Sequence, residues 1–469
     1  MKRFFYLTIL LVAFVLSSQP VVYGSSHNTP YSIKKGMIHF KEPKRAKGQT
    51  SMLGFAAEKI DTVRVGIIGL GMRGKGPLKR MSFIEGAKIV AICDFHQENI
   101  DKSQARLAKY GQPRADEYVG KDAWKKLCQR KDIDLVYIVT DWKSHTPIAV
   151  YAMEQGKHVA IEVPAATSVA ECWQLVDTSE RTRRHCMMLE NCIYDHFELT
   201  TLNMAQQGLF GEIVHAEGAY IHALDPWWDK YHECWRLKFN QEHDGDVYAT
   251  HGFGPVCFAL NIHRGDRLTH LVSMDTNSWK GKEWAKKLLG TEEFANGDHT
   301  STLIRTHNGK TIELQHNVYT PRPYNRLYQL TGTKGFANKY PVQGILLEHD
   351  QMAASGVVAN HEDLNSHKFL PKEAFDALME KYRHPIQKEL MDYAKKVGGH
   401  GGMDFIMDYR LIYCLRNGLP LDQDVYDAAE WSCVGELTAT SIKHNSMPVA
   451  FPDFTRGEWN KLKGQKFAK

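Results

Sequence analysis

The feature that most limits how this chain can fold is a glycine loop set directly behind a short β-rich run. Val63-Arg64-Val65-Gly66-Ile67-Ile68 leads into Gly69-Leu70-Gly71-Met72-Arg73-Gly74, a complete G-x-G-x-x-G that opens the next helix. In a strand–loop–helix unit the first glycine permits the tight turn and the second lets the backbone approach a pyrophosphate. The third lets helix pack on strand, and the helix N-terminus faces the phosphates. Asp94 ends the second such run, where a carboxylate accepts hydrogen bonds from the adenosine ribose hydroxyls and repels a 2′-phosphate. That favours NAD over NADP. Residues 69–75 also open like the mononucleotide loop G-x-x-x-x-G-K, but Gly76 stands where that loop needs Ser or Thr for magnesium. The spacing suits the dinucleotide better; a glycine turn without a ligand is the remaining alternative.

Runs of the same texture follow at residues 88–93, 134–139, 158–161 and 186–189, separated by stretches of helical length such as Gln97–Lys109 and Val169–Thr182. Near-continuous apolar strands alternating with helices predict a parallel sheet covered on both faces, a doubly wound Rossmann domain over residues 61–191. Past Gly211 the pattern changes. Residues 213–224, 300–305, 311–318 and 326–330 read as longer strands with no regular helices between them, and Gly332-Thr333-Lys334-Gly335 reads as a hairpin connection. Helices return at Pro385–Val397, at Met403–Asn417 with Gly418 as the stop, and at residues 424–444. The expected plan is α/β: the Rossmann sheet, then an α+β domain over residues 192–469 with a large open, mostly antiparallel sheet and C-terminal helices.

With 469 residues, 43% of them hydrophobic and 24% charged, the chain has globular composition and room for two or three domains. The apolar run from Phe4 to Leu16 is shorter than the ~20 residues of a membrane-spanning helix. It follows Lys2-Arg3 and precedes the small-residue stretch 21–25, so residues 1–24 read as a secretory signal peptide; a retained anchor helix is the alternative. Export to the periplasm or the exterior follows, with no membrane span in the mature chain. Residues 25–60, interrupted by Pro30, Gly36, Pro43, Gly48 and Gly54, read as an irregular linker segment. Losing Lys2 and Arg3 lowers the net charge from +5 to +3, and no dense basic stripe remains, so a nucleic-acid surface is not expected. Nine cysteines without a C-x-x-C pair argue against a zinc ribbon and for buried thiols. No metal site is expected: His232-Glu233 opens like H-E-x-x-H, but Arg236 stands where the second histidine belongs. There is no G-x-S-x-G.

Ligands of such a sheet are met just past the strands. Trp142 and His145 follow the third run, Glu162 and Val163 the fourth, and Asn191 the fifth. These are candidate cofactor contacts, with Met72 and Arg73 inside the glycine loop; a helix start with an aromatic packed on it is the plainer account of Trp142 and His145. Tyr248 to His251 places a phenol and an imidazole within four residues, the two group types that proton transfer at a hydroxyl calls for. If a helix starts there, they share one face.

The glycine loop, Asp94, the His145 turn and the Glu162-x-Pro164 step resemble the Gfo/Idh/MocA dehydrogenases, which pair a Rossmann domain with an α+β substrate domain. The dehydrogenases carry a lysine between Glu and Pro; this chain has Val163, which moves no proton. A more specific likeness, over residues 61–450, is to glycoside hydrolase family 109, the NAD-dependent α-N-acetylgalactosaminidases. It is carried by segments 71–74, 187–191, 248–256, 260–266, 321–324, 332–335 and 401–404. The resemblance implies hydrolysis of terminal α-linked N-acetylgalactosamine by transient oxidation at C3, elimination, water addition and re-reduction, with NAD recycled and configuration retained. It also implies roles. His251 with Tyr248 handles the C3 hydroxyl proton, Glu162 supports the sugar or the relay, and Tyr194 is a candidate at C2. Tyr220, Arg236 and Tyr324 hold the sugar with Tyr248 and His251, and Tyr248 also touches the cofactor. A glycan is then the partner, and the oligomeric state stays open, a homo-oligomer included. The rival accounts are an NAD-dependent sugar oxidoreductase, a two-carboxylate glycosidase relying on Asp246 or Asp225, and a sugar sensor.

Overall fold

The computed structural model describes residues 30–359, 364 and 367–469, so the expected signal peptide lies outside the described residues. A six-stranded parallel sheet is formed by β3 (Val63–Ile68), β4 (Ala87–Asp94), β5 (Asp116–Val119), β6 (Leu135–Ile138), β7 (His158–Ile161) and β8 (Cys186–Met188), after a first pair, β1 (Tyr31–Lys34) and β2 (Met37–Phe40). Its spatial order is β5-β4-β3-β6-β7-β8, the doubly wound arrangement that reverses direction between β3 and β6. β6 and β7 are buried at every residue, as strands covered by helices on both faces must be.

The second sheet takes β9 (Ile213–Ile221), β10 (Leu268–Asp275), β11 (Thr300–Thr306), β12 (Thr311–Asn317), β13 (Asn325–Gly332), β14 (Gly335–Asn338), β15 (Gly344–Leu347) and β16 (Val449–Ala450). With β1 and β2 it has ten strands in the order β1-β2-β16-β10-β11-β12-β9-β13-β14-β15, antiparallel except at β12–β9 and β16–β2. Burial alternates along β11 and β12, so one face is packed and the other open. One continuous apolar core joins the two sheets.

Locally encoded elements keep their expected bounds. The helices Gln97–Lys109, Val169–Thr182, Pro385–Val397 and Met403–Asn417 have those limits, with Ser168 capping the second through Glu171 N and Gly418 in the left-handed conformation ending the last. Four expectations are corrected. Residues 31–40 are not irregular linker: Lys35 and Gly36, both with positive φ, turn β1 into β2, and β2 pairs with β16 more than four hundred residues away. β5 was not visible because Asp-Glu-Tyr-Val is a polar sheet edge without a buried face. The strands of the second sheet are not free of helices: Trp235–Glu242, Thr250–Ala259 and Lys280–Leu289 lie between them. Thr250–Ala259 is buried almost all round, so it shows no amphipathic period. Residues 424–444 form two helices, Val425–Ser432 and Val434–Lys443, meeting at Cys433. All nine cysteines are free thiols.

Candidate active site

The glycine loop lies at the reversal point of the parallel sheet. A Cβ on Gly69 (φ +92°) would stand 2.4 Å from the Val139 carbonyl oxygen, and one on Gly74 2.2 Å from the Gly69 carbonyl oxygen. Those two glycines close the turn. A Cβ on Gly71 would meet nothing within 4 Å, which leaves its backbone facing open space. Asp94 at the end of β4 is braced against the loop: Oδ2 accepts from Leu70 N at 2.8 Å, and Oδ1 from His96 N and Asn99 Nδ2, both at 2.9 Å. Two closed glycines, one open one and a fixed carboxylate fit the pyrophosphate and ribose of NAD.

Two of the other expected cofactor residues, Arg73 and Asn191, converge on Asp404, a residue the sequence did not single out, and Arg73 ties Glu162 to the same group. Arg73 donates through Nε to Glu162 Oε1 at 2.7 Å and through Nη1 to Asp404 Oδ2 at 3.1 Å. Asn191 donates to Asp404 Oδ1, and His400 Nδ1 lies 3.0 Å from Oδ2. Burial opposes ionisation of Asp404, yet Arg73, His400 and Arg80 outweigh it and hold its carboxyl well below the usual range. Met72 is exposed at the loop, and Val163 is buried at the turn after β7. His145 does not open into the crevice. Its ring is enclosed between the Pro164 carbonyl oxygen, 2.7 Å from Nδ1, and the Thr140 carbonyl oxygen, 3.1 Å from Nε2, so it ties together the loops after β6 and β7.

The catalytic candidates meet where Thr250–Ala259 presses on β9. Gly218 and Gly252 make this approach feasible, since a Cβ on Gly252 would stand 2.2 Å from Ala219 N. His251 at the head of this helix turns Nδ1 to both carboxylate oxygens of Glu190 at 2.9 Å and Nε2 to Tyr248 Oη at 3.3 Å. Tyr248 precedes the helix and its N-cap Ala249 rather than sharing a helical face with His251. Glu190 is fully buried and also accepts from Cys192 N at 2.9 Å. Burial raises its pKa, but His251 and the Cys192 donors together outweigh burial, and the group stays a carboxylate. A carboxylate on Nδ1 fixes the proton there and leaves Nε2 as the acceptor. Burial, with Tyr220 beside it, pushes the Tyr248 phenol well up, so it is a proton-holding donor and not an activated base.

Glu190 is therefore the functional residue that sequence reasoning passed over. Its position immediately after the last Rossmann run was the available signal; its partner lies 61 residues further on. Tyr194 leaves the group. Its hydroxyl donates to Asp422 Oδ2 at 3.2 Å, within a buried pair that Asp422 forms with Arg410, so its polar end is spent inside the core. The rival carboxylates do not form a facing pair: Asp225 is exposed, while Asp246 is enclosed beneath Tyr248, whose N–H it accepts at 3.1 Å.

Arg236 sits in an aromatic cage. Its guanidinium carbon is 4.4 Å from the ring centre of Tyr248, 5.0 Å from that of Trp142, 5.5 Å from Tyr231 and 6.0 Å from Tyr220. Trp142 stacks on Tyr248 at 5.4 Å, so this aromatic is a wall of the cage. Nη1 donates to Tyr231 Oη at 2.8 Å, whereas the buried Nε has no partner, and among the described residues no carboxylate pairs with Arg236. A buried, unpaired planar donor suits a ligand carbonyl or hydroxyl. Tyr220 bridges the cage and the relay, with ring centres 4.6 Å from Tyr248 and 5.5 Å from His251, and Tyr324 stands exposed further out.

Glu190, Cys192 and His251 also bring ligating atoms within 4.8 Å of one another. The trio is a poor metal cage, because burial pushes the Cys192 thiol well up and its sulfur donates to Asn191 Oδ1 at 3.4 Å.

Residues 63–190 match the family description "Oxidoreductase family, NAD-binding Rossmann fold", and residues 194–461 match "Glycosyl hydrolase 109, C-terminal domain". Glycosyl hydrolase family 109 protein 1 of Bacteroides fragilis is 59% identical over 429 residues, covering 91% of this chain and 92% of its own. The family 109 protein of Porphyromonas gingivalis is 59% identical over 434 residues, with 92% of each chain covered. Among solved structures, levoglucosan dehydrogenase with NADH and levoglucosan shares the fold at a TM-score of 0.63 and 16% identity, over 84% of this chain and 100% of that one. The first domain thus binds NAD. With one family description spanning more than half of the chain and relatives spanning nearly all of it, the protein belongs to glycosyl hydrolase family 109, glycoside hydrolases built on an NAD-dependent oxidoreductase fold.

Proposed function

We propose that this enzyme releases terminal α-linked N-acetylgalactosamine from glycoconjugates with retained configuration, by transient oxidation at C3 of the sugar. NAD, when bound, supplies the two-electron acceptor that is restored within each turnover. His251 Nε2 takes the C3 hydroxyl proton and gives it back on re-reduction, and Glu190 on Nδ1 stabilises the imidazolium formed between those events. Tyr248 holds Nε2 until the sugar hydroxyl replaces it. With a carbonyl at C3, the proton at C2 becomes acidic, and its loss to a base expels the glycosidic oxygen, which leaves as the protonated alcohol. Water then adds at C1 while C2 regains a proton before C3 is re-reduced. Arg236 donates to sugar oxygens, and the N-acetyl carbonyl is a fitting acceptor for its planar fork. Tyr220 and Tyr324 line the sugar's faces. Glu162 is held in place by Arg73, and this carboxylate supports the sugar from the sheet edge.

The observation that carries this reading is the Tyr248–His251–Glu190 relay beside an unpaired Arg236, with Val163 where a dehydrogenase has its lysine. Residues 1–24 support action outside the cytoplasm. Incubation with 4-nitrophenyl α-N-acetylgalactosaminide in heavy water should give free sugar carrying deuterium at C2. Cleavage without exchange at C2 would overturn the mechanism, and steady accumulation of NADH without cleavage would make the protein a sugar oxidoreductase.

A further inference from the structure

Exposure rises in one direction from the relay. Tyr248 and Tyr220 are buried, His222 is half-buried, and Trp227 and Tyr324 are 38% and 42% exposed. The rings form a continuous arc: Trp227 stands edge-on to His222 at 5.1 Å, His222 edge-on to Tyr324 at 5.0 Å, and Tyr220 Oη meets His222 Nδ1 at 2.8 Å. The arc is built rather than incidental. Trp228, the neighbour of Trp227, is fully buried and stacks on Tyr319 at 5.6 Å, which turns Trp227 outward. Tyr324 accepts from Arg326 Nη1 at 3.2 Å, and Arg326 is itself locked to Asp195 and Glu198. Burial and the nearby Arg236 push His222 down to about 4, while burial pushes the Tyr220 phenol up to about 12. The tyrosine therefore donates to Nδ1, and the uncharged imidazole carries its proton on Nε2. A neutral donor between two exposed aromatic faces suits a ring with an apolar face and hydroxyl edges.

We propose that Trp227 and His222, bordered by Tyr324 of the terminal-sugar site, form a subsite for the first sugar of the leaving group, a neutral pyranose stacked on Trp227. This rests on the proposed function, in which the oxidised edge of the sugar is turned toward the buried His251 and the leaving group must exit toward solvent. Preferred substrates then carry the terminal α-linked sugar on another sugar rather than on a peptide hydroxyl.

Calorimetry on the NAD-loaded His251→Ala protein, where turnover does not interfere, would compare methyl α-N-acetylgalactosaminide with a disaccharide bearing the same unit on galactose. The disaccharide should bind about tenfold more tightly, the difference of ~1.4 kcal/mol expected of one stacked ring. Adding Trp227→Ala should erase that preference without changing the methyl glycoside, and Trp227→Phe should keep most of it. Equal affinities in the parent, or equal weakening of both ligands by Trp227→Ala, would overturn the subsite, as would tighter binding of the serine-linked sugar than of the disaccharide. Hydrolysis by the unsubstituted enzyme is scored separately. A disaccharide preference without any cleavage would refute the glycosidase reading and leave the subsite standing.

Discussion

Arg80 and Arg236 are both buried arginines, and they are handled in opposite ways. Arg80 lies in the seam between the helices Lys75–Ser82 and Met403–Asn417, with Nε on Asp408 Oδ2 at 2.5 Å, Nη1 on Asp404 Oδ2 at 3.3 Å and Nη2 on Tyr137 Oη at 3.2 Å. Tyr137 in turn donates to Asp408 Oδ1 at 2.9 Å. Each nitrogen of that guanidinium has a partner, and the seam fastens the first domain to the second. Arg236 is enclosed by aromatic rings, with one phenol as partner and one N–H unpaired. A charge with its carboxylates holds structure together, whereas one left with π-faces keeps its hydrogen-bonding capacity for a ligand. Asp246 is the converse case near the cage, a buried carboxylate with no cation and a partnerless Oδ2.

The largest effect should come from the relay on the aromatic side. His251→Ala should lower kcat by about 10³-fold or more with NAD content unchanged, since general acid–base groups contribute roughly 10²–10⁴. Retained turnover would move the chemistry elsewhere. Next come the two arginines themselves. Arg80→Met strands Asp408 in the core and should cost about 3 kcal/mol or more of unfolding free energy, whereas Arg236→Met strands no carboxylate and should leave the urea midpoint nearly unchanged. It should instead raise KM for the aryl glycoside by about 10- to 100-fold. Equal destabilisation by both would erase the distinction drawn between them.

A comparable effect, spread over pH, tests Asp246, whose carboxyl burial pushes up to about 7 against one hydrogen bond from Tyr248 N. Between an unfolded value near ~4 and that folded value, the folded state keeps a proton the unfolded chain has lost. Stability therefore falls as pH rises through this window and levels off above it. Asp246→Asn has no such proton, so its stability relative to the parent should rise by about 4 kcal/mol from pH 4 to pH 8, roughly 1.4 kcal/mol for each pH unit between the two values; parallel urea curves would exclude the ionisation. The smallest change is Asp94→Ala, which removes both the ribose acceptor and the brace on Leu70 N. NAD retained through purification should drop about tenfold, and unchanged content would contradict the ribose assignment.

What was legible beforehand follows from how far apart the interacting residues lie. The four helices with matching bounds carry their stop signals on the chain, as in Gly418 after Asn417. The glycine loop is equally local, because its three glycines answer contacts within one turn and with one neighbouring strand. The β1–β2 hairpin was hidden because β2 takes its place in the sheet from Val449, at the far end of the chain. The nine-residue spread of polar and apolar side chains in β9 was readable as a strand, but not that Gly218 would let a helix settle on it. His251 and Tyr248 were found by type and proximity; Glu190, Asp404 and the cage around Arg236 were not, since their partners come from distant segments.

The amino-acid order alone determined the Rossmann half, the dinucleotide loop, the preference for NAD and the residue types of the reactive segment, since periodicity, turns and caps are short-range physics. Tertiary structure alone decided which histidine nitrogen faces a carboxylate, which tyrosine is lost to the core, and which arginine stays unpaired. Those outcomes depend on burial and charge brought together across the fold, and desolvation acts on a group only once its surroundings have closed around it.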